Sequence, residues 1–190
     1  MRLILMGPPG AGKGTQAAQI ADRYGVPAIA TGGIFRAHVN AGTPLGAAAK
    51  RYVDSGQYVP DEITNPMVRD RLGQADCRRG FILDGYPRTL AQAKELDSIL
   101  ADLGVELDNV LLLSVDPEEL VRRLIRRAHL EGRADDTEAV IRRRLEVYEE
   151  QTAPLAAHYS ARDLLTVVNG AGRVDDVTDR INAAIGGLRP

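Results

Sequence analysis

Between Gly7 and Lys13 the chain reads GPPGAGK, which places two glycines and a lysine at the spacing G-x-x-x-x-G-K. A loop without bulky side chains lets successive backbone N–H groups turn inward, and the lysine adds a mobile cation, so the pattern suits a polyphosphate. The apolar run 3–6 before it reads as a strand and the residues after it as the start of a helix, whose positive end adds to the field on an anion. One position departs from the general pattern: Gly14 stands where a Ser or Thr hydroxyl would ligate Mg²⁺, and Thr15 comes one residue late. An acid elsewhere must then serve the metal. Asp84, at the end of the apolar run Phe81, Ile82, Leu83, is placed to hold Mg²⁺ through its water shell. Arg88 follows closely, and its guanidinium fork matches phosphate oxygens in pairs.

Three stretches carry a resemblance. GPPGAGKGTQ at 7–16, TGGIFR at 31–36 and DGYPR at 84–88 followed by Gln92 resemble, in that order, the signatures of the adenylate kinase and nucleoside monophosphate kinase family, and the resemblance covers the whole chain. It implies that Gly10, Ala11, Gly12, Lys13, Gly14 and Thr15 bind ATP together with Arg123, Arg127 and Gly172. It implies that AMP is faced by Thr31, Arg36, the backbone of Gln57, Tyr58 and Val59, then Gly85, Tyr86, Pro87, Arg88 and Gln92. Gly33 stands where the family usually has an acid. Arg123 and Arg127 lie four apart on one helix face and match the family's RxxxR pair, Arg127 being the better match for the ATP phosphates. Arg133, in GRADD, and Arg144, eleven residues later, match two lid arginines that meet the phosphates on closure. Lys13, Arg88, Arg127, Arg133 and Arg144 are thereby the implied catalytic set, and Arg122, Arg126, Arg142 and Arg143 read as surface charges.

The implied reaction is ATP + AMP ⇌ 2 ADP, with Mg²⁺ as cofactor. Its nucleophile is a phosphate oxygen already anionic near pH 7, so no general base is required, and none is apparent. His38, His129 and His158 have no metal-ligand spacing, and the short lid carries no cysteine, so no zinc site is expected. A UMP/CMP kinase of the same fold is the nearest alternative. A slow nucleotide-dependent switch is a second; two separate phosphate-facing groups, Lys13 with Arg127 and Arg36 with Arg88, stand against it.

The elements that must position these residues alternate. Apolar runs predict strands over 26–30, 81–84, 110–115 and 164–168 besides the first, and helical spacing predicts helices over 16–24, 34–40, 89–103 and 174–185. Thr31 to Gly33 reads as a turn and helix cap, and 41–72 as short helices broken at Gly42, Pro44, Gly56, Pro60 and Pro66. Pro117 opens an arginine-rich helix, 132–136 interrupts it, and Asp135 and Asp136 can cap a long helix over 137–159. The fold class is α/β: a P-loop NTPase-like five-stranded parallel sheet flanked by helices, with a helical NMP-binding insertion and a short lid. The boundaries read as a core of 1–29, 60–125 and 137–190, an insertion of 30–59 and a lid of 126–136.

The 190 residues suit one domain, and 44% hydrophobic with 26% charged residues suits a packed core. A net charge of -2 argues against nucleic-acid binding by bulk charge, and six Tyr, two Phe and no Trp argue against a stacking platform for single strands. Cys77 is the one cysteine, no run approaches the roughly 18 apolar residues of a membrane span, and no charged leader precedes Arg2. These features lead to the expectation of a cytoplasmic monomer whose partners are ATP, AMP and ADP, without nucleic acid or membrane.

Overall fold

The computed structural model describes residues 1–131 and 137–186, with the side chains of 129 and 131 left aside. Five strands, β1 (Arg2–Met6), β2 (Ala28–Ala30), β3 (Phe81–Asp84), β4 (Asn109–Ser114) and β5 (Leu165–Asn169), form one sheet in the order β2-β3-β1-β4-β5. Every pairing is parallel, with Leu3 beside Ile82 and Asn109 at the centre. Alternation along the strands sends neighbours to opposite faces. Ile4, Leu83 and Val110 pack with Val68, Leu96, Ile99 and Tyr159 on one face, while Leu3, Leu5, Ile82, Leu111 and Leu113 pack with Ala17, Ile20, Leu120 and Ile181 on the other. A sheet covered on both faces explains why its strands read as unbroken apolar runs.

The helices are α1 (Lys13–Tyr24), α2 (Thr31–Asn40), α3 (Pro44–Ser55), α4 (Asp61–Leu72), α5 (Leu90–Asp102), α6 (Pro117–Glu131), α7 (Glu138–Val147), α8 (Leu155–Ser160) and α9 (Val174–Ile185). Helices α2 and α3 carry a small core of their own, in which Phe35, Ala49 and Val59 are packed by Leu45, Tyr52 and Ile63. Their contact is close because Gly46 of α3 is packed against the backbone of α2: a Cβ there would come within 2.1 Å of the His38 carbonyl oxygen.

Four details differ from the sequence reading. Helix α1 starts at Lys13, so the loop runs into it without a spacer. Thr31 is the first residue of α2 and does not cap it; Ala30 stands at the cap, while the Thr31 hydroxyl donates to Gly85 O at 2.9 Å. Pro66 lies inside α4 without ending it, because buried Val68 and Leu72 beyond it hold the helix to the core. The helix over 137–159 is α7, then a π-helical turn (Tyr148–Thr152), then α8, a break that turns Tyr148 and Thr152 inward. Thr137 caps α7, its hydroxyl accepting from Val140 N at 3.4 Å. Asp135 and Asp136 lie outside the described residues.

Candidate active site

The chain leaves β1 toward β2 on one side, and leaves β4 toward β5 on the other, so the carboxyl ends of these central strands flank a crevice. There a cleft of about 920 Å³ opens. Its floor is the loop from Gly7 to Gly12, in which Gly7, Gly10 and Gly12 take φ of 141°, 86° and 93°, conformations that side chains other than glycine's rarely allow. Space demands glycine as well: a Cβ on Gly7 would lie 2.8 Å from the Leu113 carbonyl oxygen, and one on Gly10 3.0 Å from that of Leu120. The loop is pressed between β4 and α6.

Lys13 is half-buried over this loop, and its Nζ donates to the Gly7 and Pro8 carbonyls at 2.7 and 3.0 Å. Burial pushes its ammonium down to about 8; Asp84 pulls the other way, and Arg88 and Arg127 add to the fall. The lysine thus senses the acid and two of the arginines expected around the phosphates. Asp84 also faces Gly14, since its Oδ2 would lie 3.5 Å from a Cβ on that glycine.

On the other side of the cleft, Gly85 takes φ 79°, and a Cβ there would meet Arg88 Nη2 at 2.9 Å and Thr31 Oγ1 at 3.1 Å. Arg88 is held along its length: its backbone N–H donates to Gln92 Oε1 at 2.7 Å, its Nε to Gly85 O at 2.8 Å, and its carbonyl accepts from Thr152 Oγ1 at 2.9 Å. The Gln92 amide is oriented at both ends, because its Nε2 donates to Asp61 Oδ1 at 2.7 Å. One N–H and one lone pair remain to it.

The structure brings nearly all the expected residues to this cleft. Its lining includes Gly10 to Thr15, Thr31, Arg36, Gln57 to Val59, Asp84, Gly85, Pro87, Arg88, Gln92, Arg123, Arg127, Arg144 and Gly172. Tyr86 is the exception. Its side chain is wholly buried in the core and its hydroxyl donates to Asn65 Oδ1 at 2.9 Å, because successive residues of this turn point opposite ways and Gly85 and Pro87 take the cleft side. Arg133 lies outside the described residues. Arg123 bonds Glu119 at 2.8 Å and Gly170 O at 3.2 Å, so it ties α6 to the loop after β5.

Of the arginines read as surface charges, Arg122 and Arg142 are exposed and paired with Glu119 and Glu138 one helical turn back. Arg126 is exposed yet lines the cleft, and Arg143 pairs with Glu146 and, with the Gln57 amide oxygen turned toward it, donates from Nε at 2.9 Å. Tyr148, Thr152 and Glu119 line the cleft too and were not legible in the sequence. Tyr148 and Thr152 sat within an expected continuous helix, where periodicity gives no sign of a π turn. His38 Nδ1 is bonded to Thr43 Oγ1 at 2.9 Å and His158 stacks edge-on against Tyr159. Among the described residues no group of three or more His, Cys, Asp or Glu is placed to hold a metal ion, and no helix is long and apolar enough to cross a membrane.

A glycine loop on the first strand, a lysine over it and a second arginine-bearing pocket in the same cleft define a P-loop phosphotransferase with room for two phosphorylated substrates. The comparisons agree: the adenylate kinase family model matches residues 5–164. The chain is 60% identical to the adenylate kinase of Nocardioides sp. over 97% of both chains, 59% to that of Kocuria rhizophila over 97% of this chain and 98% of the relative, and 56% to that of Thermobifida fusca over the same shares. The chain belongs to the adenylate kinase family.

Proposed function

We propose that the protein transfers the terminal phosphate of ATP reversibly to AMP, giving two ADP, and so keeps the adenine nucleotides in balance. One observation carries this reading: the loop at Gly7 to Lys13 and the group Thr31, Arg36, Gly85, Arg88 and Gln92 line a single cleft, with Lys13 close enough to Asp84, Arg88 and Arg127 for each to act on its charge. On this reading ATP phosphates lie over Gly10 to Thr15, with Arg123, Arg127 and Gly172 beside the nucleotide. AMP lies against Thr31, Arg36, Gln57 to Val59 and Arg88, with the remaining N–H and lone pair of Gln92 toward the adenine edge.

Catalysis needs no base, since the attacking phosphate oxygen carries its charge already. Lys13, Arg88, Arg127 and Arg144 hold the ATP phosphates and the AMP phosphate in line and balance the charge that spreads over the transferring group. Arg133 joins them from the lid. Mg²⁺ fits the donor set, because the Asp84 carboxylate stands over Gly14, where the loop itself offers no hydroxyl, and Thr15 is one turn position further on. When bound it neutralises phosphate charge. The division into core (1–29, 60–125, 137–190), insertion (30–59) and lid (126–136), a monomeric state and a cytoplasmic location belong to the same proposal, as does a lid without zinc.

The test is ADP formation from ATP with AMP, UMP, CMP and GMP in turn. AMP is expected to lead by about tenfold or more, since a site built to hydrogen-bond one base edge leaves buried groups unpaired with another. Equal turnover of UMP moves the assignment to a pyrimidine nucleotide kinase, and turnover of none leaves a nucleotide switch.

A further inference from the structure

The buried polar side chains among the described residues are Gln16, Thr31, Thr64, Gln92 and Thr152, and all five line the cleft. A buried hydroxyl persists where its hydrogen bonds hold something in place. Gln16, Thr31 and Gln92 belong to the motifs, and Thr64 bonds the Val59 and Pro60 carbonyls a few residues before it. Thr152 does neither: it lies on the π-helical turn after α7, about sixty residues in sequence from the group it holds.

Its hydroxyl is a bridge. Thr152 Oγ1 donates to the Arg88 carbonyl at 2.9 Å and lies 2.7 Å from the Tyr58 hydroxyl; with its own hydrogen spent on Arg88, it accepts from Tyr58. Tyr58 in turn lies under the Arg88 guanidinium, the cation 4.7 Å from the ring centre. The guanidinium and the backbone carbonyl of one arginine are thus held by two side chains that are bonded to each other. The π turn is what brings Thr152 inward, since the same residue in a regular continuation of α7 would be rotated away. It also links Arg88 to two further segments: Tyr58 lies at the end of the stretch 30–59, and the turn follows α7, the helix that carries Arg144.

We infer that Thr152 and Tyr58 are positioning residues for Arg88: they set the direction of its guanidinium toward the acceptor phosphate and couple that direction to the docking of the insertion on α7. The inference rests on the assignment of Arg88 to the acceptor nucleotide. Its remaining anchors are local in sequence: Gly85 O, three residues before it, holds the Nε, and Gln92 Oε1, four residues after it on α5, holds the backbone N–H.

Steady-state kinetics of the full chain, with KM for the acceptor and for ATP measured separately, tests it. Thr152→Val keeps the shape and removes the hydroxyl. We expect it to raise KM for AMP and lower kcat, a combined loss of about tenfold or more, with KM for ATP within about twofold, because misplacing a catalytic cation costs steeply. Thr152→Ser should restore most of the loss. Tyr58→Leu should raise KM for AMP about fivefold through loss of the cation–π contact, and Tyr58→Phe less, since the ring remains. A Thr152→Val protein with a lowered Tm but unchanged KM for both substrates would overturn the inference, as would failure of Ser to rescue. Should Thr152→Val not fold, Tyr58→Leu decides alone, a wild-type KM for AMP overturning the proposal. Each comparison uses the monophosphate that the wild-type protein phosphorylates best, so failure of the AMP assignment shows in the wild type and failure of the positioning role in the variants.

Discussion

The two halves of the cleft are built by different means. On the side proposed for the donor it is backbone: Gly7, Gly10 and Gly12 at positive φ, pressed onto Leu113 and Leu120. On the side proposed for the acceptor it is side chains: Arg88 held by Gln92, Gly85, Thr152 and Tyr58, and Thr31 tied to Gly85. Such a backbone site is local, because glycines permit its path and the neighbouring strand and helix, at Leu113 and Leu120, confine it. A side-chain site is assembled from segments far apart in sequence. It therefore depends on how α3 and α7 pack together, while the loop depends only on its immediate neighbours β4 and α6. The contrast suits a reaction in which one nucleotide must be brought to another.

Four changes would break or sharpen that contrast. The largest effect is expected at Lys13, whose side chain lies over the glycine loop itself. Lys13→Ala should abolish phosphoryl transfer while leaving the fold intact, as circular dichroism would show; a variant that kept more than roughly a tenth of the wild-type rate would contradict the role, since charge neutralisation of this kind is worth several kcal/mol.

Next come the arginines delivered from outside the loop. Arg144→Ala and Arg133→Ala should each lower kcat by about 10² or more with little loss of stability, because charge clamps on transferring phosphoryl groups act at that scale. Full kcat, or ready unfolding in denaturant, would make either arginine structural.

Gly85→Ala tests the acceptor side through its backbone. At φ 79°, with Arg88 Nη2 at 2.9 Å from the new methyl, the substitution should displace the guanidinium. KM for AMP should rise about tenfold or more while KM for ATP holds, because small misplacements of a positioned group are costly. An equal rise for both substrates would mean that the two halves are not separable.

The smallest change is in pH. Burial holds the Lys13 ammonium near 8, below its ordinary 10.5, so the charged form is lost as pH rises through about 8. The ratio kcat/KM for ATP should fall on that alkaline limb, and the limb in kcat should lie higher, since bound phosphates favour the ammonium. Stability of the nucleotide-free protein should move the opposite way. Between about 8 and 10.5 the unfolded chain binds the proton that the folded one has released, so this group makes the fold more stable as pH climbs. A flat kcat/KM to about pH 9.5 would mean that Lys13 stays charged in the free protein.

The sequence alone determined the sheet and the phosphate loop, because these depend on local chemistry, and most of the cleft's membership was legible through the family resemblance. A strand buried on both faces must be an apolar run, as 110–113 is, and a loop that wraps phosphate must contain glycines and a cation at close spacing. Residues in DGYPR were legible as a motif, yet only the folded chain separated Tyr86, which turns into the core, from Gly85 and Pro87, which line the cleft. Proline at 66 read as a break, and only the packing of Val68 and Leu72 kept the helix running through it. The π turn at Tyr148–Thr152 left no trace in periodicity, and its one sign in the sequence is Pro154 just beyond it, a residue that interrupts a regular helix. Its outcome, a threonine bonded to an arginine 64 residues earlier and a tyrosine 94 residues earlier, is a long-range contact. Such contacts are settled by how helices dock on the sheet, so no local pattern of residues can carry them.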